Sequence, residues 1–380
     1  MNKLLVHISR DLLAKAVQHV YKAVSSNSPV SRLSGLYIHA GREGVLFSGS
    51  NTSLMVQYKV CITDSKVLIL NKGSIVCPGK YLFEIIRKLE DGKVTLEVNE
   101  HLVLSISSEN TRVCLGGMSP IEYPFIRPPY YHQSANYINV SCNLFISVIN
   151  QVVRAASTSE AKPILTGVSM EIQGNRLNLI ATDGVIRMAS LSICIENEGG
   201  VSGSVVIPGE NLMEIAKMLA DDGLTKVTIE LNHHEIRFMT PNLLITSVLI
   251  EGMYPSTRNL VPTSHVSEIV LNIKSLRQMV ERVSVLADYH LVTMHVSENK
   301  LELTSSTPEI GDVSDVLLLE DKIGDNFSIT INVKYLISTL RCIESDSIRV
   351  RFAGRKSPIV LLPALEDRAC LFLLTPVMTR

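Results

Sequence analysis

The sequence predicts an α+β chain of three tandem similar domains, each with two helices packed on antiparallel sheet. Three registers of internal repetition carry that expectation. Leu12, Leu144 and Leu276 open three amphipathic runs at identical steps (144 − 12 = 132 and 276 − 144 = 132). The runs GSIVCPGKYLFEIIRKLEDGKVTLEV from Gly73, GSVVIPGENLMEIAKMLADDGLTKVTIEL from Gly203 and FSITINVKYLISTLRCIESDSIRVRF from Phe327 form a second register, with Lys80, Glu210 and Lys334 in equivalent places. A third register covers two repeats only, LSGLYI from Leu33 against LTGVSM from Leu165, and a closing signature recurs as IEYP from Ile121 and GMYP from Gly252. Repeats this long are whole domains, because solenoid units run to about 20–50 residues. At 380 residues the chain exceeds one compact core, and domains at 1–127, 128–257 and 258–380 are of ordinary size.

Each repeat reads in the same order. A short strand (LLVHI from Leu4, YINV from Tyr137, EIVLNI from Glu268) leads into a helix with apolar residues three and four apart. Ser9 and Ser141 stand where an N-cap oxygen is wanted. Alternating strands follow, such as VLFSGS from Val45, LNLIATD from Leu177 and LELTSS from Leu301. A further strand delivers the second helix, near Lys80, Glu210 and Lys334, and more strands close the unit. This order places two helices against antiparallel sheet. Linkers are expected near PFIRPPYYHQSA from Pro124 and PSTRNLVPTSH from Pro255, where Pro and polar residues cluster.

Composition narrows the function. Every apolar stretch is interrupted by Lys, Arg, Asp, Glu or Asn before it reaches the length of a membrane span. The start, MNKLLVHISRDLL, lacks the apolar core and cleavage site of a signal peptide. The seven cysteines (61, 77, 114, 142, 194, 342 and 370) are odd in number, scattered and without a C-x-x-C pair, which predicts buried free thiols in a reducing, cytoplasmic setting. The formal net charge of −1 means that any attraction for nucleic acid comes from local patches.

Catalytic constellations are not found in the sequence: phosphate-binding glycine loops, H-E-x-x-H and G-x-S-x-G are all missing. His233, His234 and Glu235 form the densest cluster of possible metal ligands, but they fall in an expected hairpin turn. Thr182, Asp183 and Gly184 read as a turn after a strand rather than an acid–base site. The reading is therefore a protein with no catalytic residues, no cofactor and no metal.

The polar faces of the helices are more informative. They carry Arg10, Lys15 and Lys22, then Lys80, Arg87 and Lys88, then Arg154 with Lys162 just after it; Lys274, Arg277 and Arg282 follow, and finally Lys334 and Arg341. The fourth helix, with Lys217 among Glu210, Glu214, Asp221 and Asp222, is acidic. Such residues are either solvated mixed-charge faces or phosphate-facing groups blind to base sequence; charge alone leaves both open.

Over essentially its whole length the chain resembles the bacterial sliding clamp, the β subunit of DNA polymerase III. The resembling stretches are STSEAKPILTGV from Ser157, ATD from Ala181 with RMA from Arg187, SVVIPG from Ser204, EGMYPSTRNLVP from Glu251, STPEIG from Ser306 and LTPVMTR from Leu374. The resemblance implies the DNA clamp fold: a head-to-tail homodimeric ring of six domains, with twelve helices lining the hole and sheets outside. Twelve helices spaced about 8–10 Å apart trace a circumference of roughly 100 Å, wide enough for duplex DNA. It implies as partners double-stranded DNA without sequence preference, the polymerase III catalytic subunit, the clamp loader and other clamp-binding-motif proteins. Those proteins would dock in a peptide pocket matched here by Leu165, Thr182, Gly184, Met188, Pro262, Pro358, Leu373, Pro376, Val377 and Met378.

The chain departs from the family pattern in places. The turn TDGVIRMA from Thr182 has one extra residue and no His, and Met378 stands where an Arg usually follows. Thr375 replaces a larger apolar residue, Asn27 replaces a DNA-contacting Arg, and the loop from Ser25 shifts its Arg to Arg32. These changes imply a diverged or accessory copy. Two other readings compete: a clamp-like scaffold that does not load on DNA, and an enolpyruvyl transferase-like enzyme of repeated α+β units.

Overall fold

The computed structural model describes residues 3–24, 31–62, 66–123, 137–364 and 370–378. The loop from Ser25 with Asn27, the linker from Pro124, the boundary at 127/128 and Arg380 lie outside the described residues. The chain folds as two compact units, 1–140 with 218–248, and 141–217 with 249–380.

The first unit holds two sheets. One runs in the order β5 (Val67–Asn71), β1 (Leu5–Ser9), β7 (Lys93–Val98), β8 (Val103–Ser108), β9 (Thr111–Gly116). The other runs β10 (Tyr137–Ser141), β15 (Lys226–Leu231), β16 (Glu235–Met239), β17 (Leu243–Val248), β4 (Leu54–Cys61), β3 (Gly44–Ser50), β2 (Gly35–Ala40), β6 (Gly73–Pro78). Helices α1 (Arg10–Tyr21) and α2 (Gly79–Lys88) pack on each other, with Tyr21 stacked on Phe83 at 4.5 Å between ring centroids. α1 also covers β3 and β4 through buried Leu13, Ala16, Val17 and Val20, the three- and four-residue spacing read from the sequence.

The second unit repeats the plan. Its larger sheet runs β14 (Gly203–Pro208), β11 (Gly167–Gln173), β12 (Arg176–Thr182), β13 (Arg187–Cys194), β26 (Cys370–Leu374), β25 (Ile359–Pro363), β24 (Ser347–Phe352), β18 (Ser267–Asn272), β22 (Asp321–Gly324). The smaller runs β21 (Gly311–Leu318), β20 (Lys300–Thr307), β19 (Leu291–Ser297), β23 (Phe327–Asn332). Helix α3 (Cys142–Val152) covers β12 and β13, while α5 (Ile273–Val283) packs on α6 (Val333–Leu340) and on β20 and β21. Helix α4 (Gly209–Asp222) begins in the second unit and ends in the first.

The α+β class and the two helices per repeat stand. What the repeats do not reveal is that a sheet continues from one repeat to the next: β17 pairs with β4, and β26 with β13, both antiparallel. Two further expectations need correction. Ser9 and Ser141 do occupy N-cap positions, but neither side chain accepts a helix N–H. The working caps are Asn272, which accepts from Ser275 N at 3.0 Å, and Asn332, which accepts from Lys334 N at 3.0 Å. No disulfide joins any of the seven cysteines, yet Cys114 and Cys194 are exposed: one lies on an edge strand and the other ends a strand. His233 and His234 lie in the turn between β15 and β16, where the alternation of the flanking runs put them.

The cores are apolar and closely filled, with Phe47, Phe238 and Phe145 wholly buried. Phe145→Ala is expected to destabilise the chain by about 3–5 kcal/mol, lost transfer energy plus a cavity, measured by urea unfolding.

Candidate functional site

The sheet pairings decide which side chains share a face. Cys370 of β26 reaches Gln151 of α3 (4.0 Å), so Cys370, Phe372 and Leu374 face the helix, and Leu371 and Leu373 point the other way. On that outer face Met188, Leu373 and Val360 lie in one row across β13, β26 and β25, each directly opposite the next. They form a buried cluster with Ile180, Val261, Leu362 and Leu371 packed around it. Two of the three, Met188 and Leu373, were read from the sequence. Val360 and Val261 were missed, although each stands close to a chosen residue, Pro358 or Pro262.

The first unit has the equivalent row. Tyr58 of β4 meets His19 of α1 at 5.1 Å between ring centroids, so Met55 points away from the helix. Met55 is opposite Thr246, and Thr246 opposite Arg237. The same place in the fold is therefore apolar in one unit and largely polar in the other.

Beside the apolar row lies the turn after β12. Asp183 Oδ1 accepts from the backbone N–H groups of Val185 (3.0 Å), Ile186 (2.8 Å) and Arg187 (3.1 Å), which fixes the turn as read from Asp-Gly. Gly184 has φ +81, which favours glycine, and a Cβ there would also press on the Leu165 Cδ1 methyl at 2.8 Å. Thr182 Oγ1 donates to Arg187 O (2.8 Å) and accepts from Gly184 N (3.0 Å). The Thr182 N–H donates to the Tyr254 hydroxyl at 3.0 Å, and that hydroxyl donates to Gly167 O at 3.5 Å.

Arg187 anchors the same corner. It pairs with Asp183 at 3.3 Å, donates to Ala156 O at 3.0 Å and lies over the Tyr335 ring at 4.9 Å. The chain's last described segment is tied alongside, Thr375 N donating to Ile186 O (2.7 Å) and Val377 N to Thr330 O (2.8 Å). Pro262, Pro358, Pro376 and Val377 are half-buried. Val185 is 75% exposed and Met378 61%, so apolar surface faces water around this site.

The basic residues divide by what they already hold. Exposed and on helix surfaces or just beyond them are Lys80, Arg154, Lys162, Lys274 and Lys334. Arg87 and Lys88 share Glu84 at 3.3 and 3.8 Å, Arg282 pairs with Asp315 (2.6 Å) and Arg341 with Glu281 (2.8 Å), all near the surface. Such pairs are worth little and exchange readily for another anion. Lys22 pairs with Asp221 of α4 at 2.7 Å, so the acidic end of that helix neutralises part of a basic face. Lys15 lines a shallow groove on α1 with Arg10, Gln18 and Asp221. Arg10 donates to Arg87 O (3.0 Å) and lies near Asp11 (3.6 Å) and Asp91 (3.4 Å). Arg277 is half-buried, and its guanidinium donates to Leu340 O (2.8 Å from Nε) and to Ile343 O (2.9 Å), closing the end of α6.

Comparison with known proteins gives one answer along the whole chain. Models of the DNA polymerase III beta subunit match its N-terminal domain at residues 4–127, its central domain at 139–256 and its C-terminal domain at 258–376. The chain is similar to the beta sliding clamp of Bacillus subtilis, 33% identical over 98% of this chain and 99% of that one. It is 32% identical to that of Halalkalibacterium halodurans over the same shares. The crystal structure of the Bacillus subtilis clamp superposes with a TM-score of 0.93 at 32% identity, covering 99% of this chain and 100% of the other. The Streptococcus pneumoniae beta chain gives 0.93 at 27% identity, with the same coverage.

Two outcomes follow from the geometry. Arg277→Gln is expected to destabilise the fold by about 1–3 kcal/mol because buried carbonyls lose their donor, whereas Lys274→Gln stays within about 0.5 kcal/mol; urea unfolding separates them. Burial pushes the Tyr254 phenol up to about 12, opposed by the Thr182 N–H and aided by the nearby Asp183 carboxylate. Between its ordinary value of 10.0 and about 12, the unfolded chain releases this proton and the folded chain keeps it. Stability therefore falls as pH rises through that window, and Tyr254→Phe should flatten the fall in alkaline unfolding curves.

Proposed function

The chain belongs to the DNA polymerase III beta subunit family, the beta sliding clamps, and we propose that two copies join head to tail into a ring around duplex DNA. It serves as a DNA sliding clamp, the processivity subunit that holds a polymerase to its template. The three matched segments support domain boundaries at 127/128 and 257/258.

One observation carries the ring: among the described residues two of the four sheets are short, and each ends on a strand with no further partner in this chain. The five-stranded sheet ends on β9 and the four-stranded sheet on β21, while the other two sheets have eight and nine strands. Pairing β9 of one copy with β21 of the next gives a nine-stranded sheet (5 + 4 = 9) like its neighbours. An open edge is an invitation to pair. The side chains suit it: Arg112 is exposed on β9, Asp312 is exposed on β21, and Val285 and Ile310 are 79% and 74% exposed. A contact of this head-to-tail kind closes only through repetition by rotation, which three similar domains per chain supply.

Within such a ring the exposed Lys80, Arg154, Lys162, Lys274 and Lys334 meet phosphates, joined by Arg87, Lys88, Arg282 and Arg341 once their surface pairs exchange, and by Lys15 from its groove. Arg10, Lys22 and Arg277 contribute positive potential while remaining tied within the fold. Phosphate contacts of this kind are weak, salt-dependent and indifferent to sequence. Enclosure rather than grip retains the DNA, so the chain needs no catalytic group, cofactor or metal for this role.

The apolar row of Met188, Leu373 and Val360, with Leu165, Thr182, Gly184, Pro262, Pro358, Pro376, Val377 and Met378 around it, is the pocket for extended peptides. Its occupants are the clamp-binding motifs of the polymerase III catalytic subunit, the clamp loader and repair proteins. The turn from Thr182, one residue longer and without the family's His, and Met378 where the family has Arg give the rim an apolar character, which supports a diverged or accessory copy with its own partner preference. Among the described residues no helix is long and apolar enough to cross a membrane, and the work proposed lies with DNA in the cytoplasm.

Sedimentation equilibrium tests the ring. The native chain is expected at 2 × 41.9 kDa, and Arg112→Glu, which sets like charges at the β9–β21 junction, should shift it toward monomer. A native chain that stays monomeric would contradict the proposal.

A further inference from the structure

We propose that Tyr254 is a positioning residue for the peptide pocket, its hydroxyl locking the Thr182–Gly184 turn in the shape that receives a peptide; this rests on the pocket reading given above. Tyr254 lies in the segment that leads to Val261, and Val261 packs on the apolar row. Its phenol oxygen bridges two strand ends, accepting from Thr182 N at 3.0 Å and donating to Gly167 O at 3.5 Å. Thr182 is 2% exposed, so water cannot replace the phenol without movement of the turn. The Thr182 residue held in this way is opposite Met188 in the ladder, and its hydroxyl in turn holds Gly184 N and Arg187 O. One hydroxyl thus sets the pocket's Thr182, Gly184 and Met188 together.

The chain contains its own control. Tyr123 makes a similar clip in the first unit, its hydroxyl within donating distance of Gly35 O (3.3 Å) and of Ser48 O (3.4 Å), while the Ser50 backbone also hydrogen-bonds its phenol. The spacings match (254 − 123 = 131, 167 − 35 = 132, 182 − 50 = 132). Ser50 is opposite Met55 as Thr182 is opposite Met188. There the outer row continues into Thr246 and Arg237 instead of Leu373 and Val360. The clip is therefore a device of the repeat, and only one copy of it stands beside an apolar row. A purely structural role would leave peptide affinity responding alike to loss of either hydroxyl.

The test compares Tyr254→Phe with Tyr123→Phe in the full-length protein. Phenylalanine keeps the ring and removes only the bridging oxygen. Fluorescence anisotropy follows a labelled peptide carrying the clamp-binding motif of the polymerase III catalytic subunit, and hydrogen exchange follows the amides of residues 182–187. Tyr254→Phe is expected to weaken the peptide on the order of ten-fold, as an unsatisfied buried N–H does, and to speed exchange across the turn. Tyr123→Phe should lower the melting temperature similarly while leaving peptide affinity within about two-fold. Equal losses of affinity in both variants, or an unchanged affinity in Tyr254→Phe while the native chain binds, would overturn the proposal alone. A native chain that binds no peptide would overturn the pocket reading, and this role of Tyr254 with it.

Discussion

Two strand pairings carry the architecture: β17 with β4 and β26 with β13. Buried backbone N–H and C=O groups must find partners, and here they find them across repeats that lie far apart in sequence. The pairings fix more than connectivity. They dictate which side of each sheet receives a helix and which side is left for function. Once Cys370 and Tyr58 are committed to the helix side, Leu373 and Met55 have no choice of face. The contrast between Met188–Leu373–Val360 and Met55–Thr246–Arg237 is then a difference of side chains on one common frame. Repetition supplied two equivalent places, and composition made one of them apolar.

The charges follow a similar division of labour. A formal net charge of −1 argues against tight binding to a polyanion. Several cations are held by neighbours: Lys22 by Asp221, Arg282 by Asp315, Arg341 by Glu281. Five others on or beside the helices are exposed. That balance suits a protein that must stay on DNA yet move along it. Strong phosphate contacts would arrest sliding, whereas weak ones inside a closed ring permit it.

Much of the fold was legible in the sequence because its signals are local. The helices announce themselves through apolar residues three and four apart, as at Leu13, Ala16, Val17 and Val20. The turns at Asp183-Gly184 and His233-His234 follow from short-range turn chemistry. What could not be read was long-range. Nothing near Ile245 says that it will pair with Val56. Arg277 looks like any exposed helix arginine until α6 is placed beside it and Leu340 and Ile343 offer their carbonyls. Cys114 sits in an apolar alternation, yet its strand has no neighbour on one side and the thiol is exposed. In the apolar row, Met188 and Leu373 were named from the family pattern, while Val360 and Val261 needed the register.

The central claim is that two copies enclose a double helix and hold it by topology. Retention of the protein on DNA after loading, compared between a nicked circular plasmid and the same plasmid cut once, tests it most directly. An enclosing ring stays on the nicked circle at high salt and is lost from the cut molecule, because only free ends let it slide off. Equal retention on both, or loss from both as salt rises, would contradict enclosure and point to ordinary electrostatic binding.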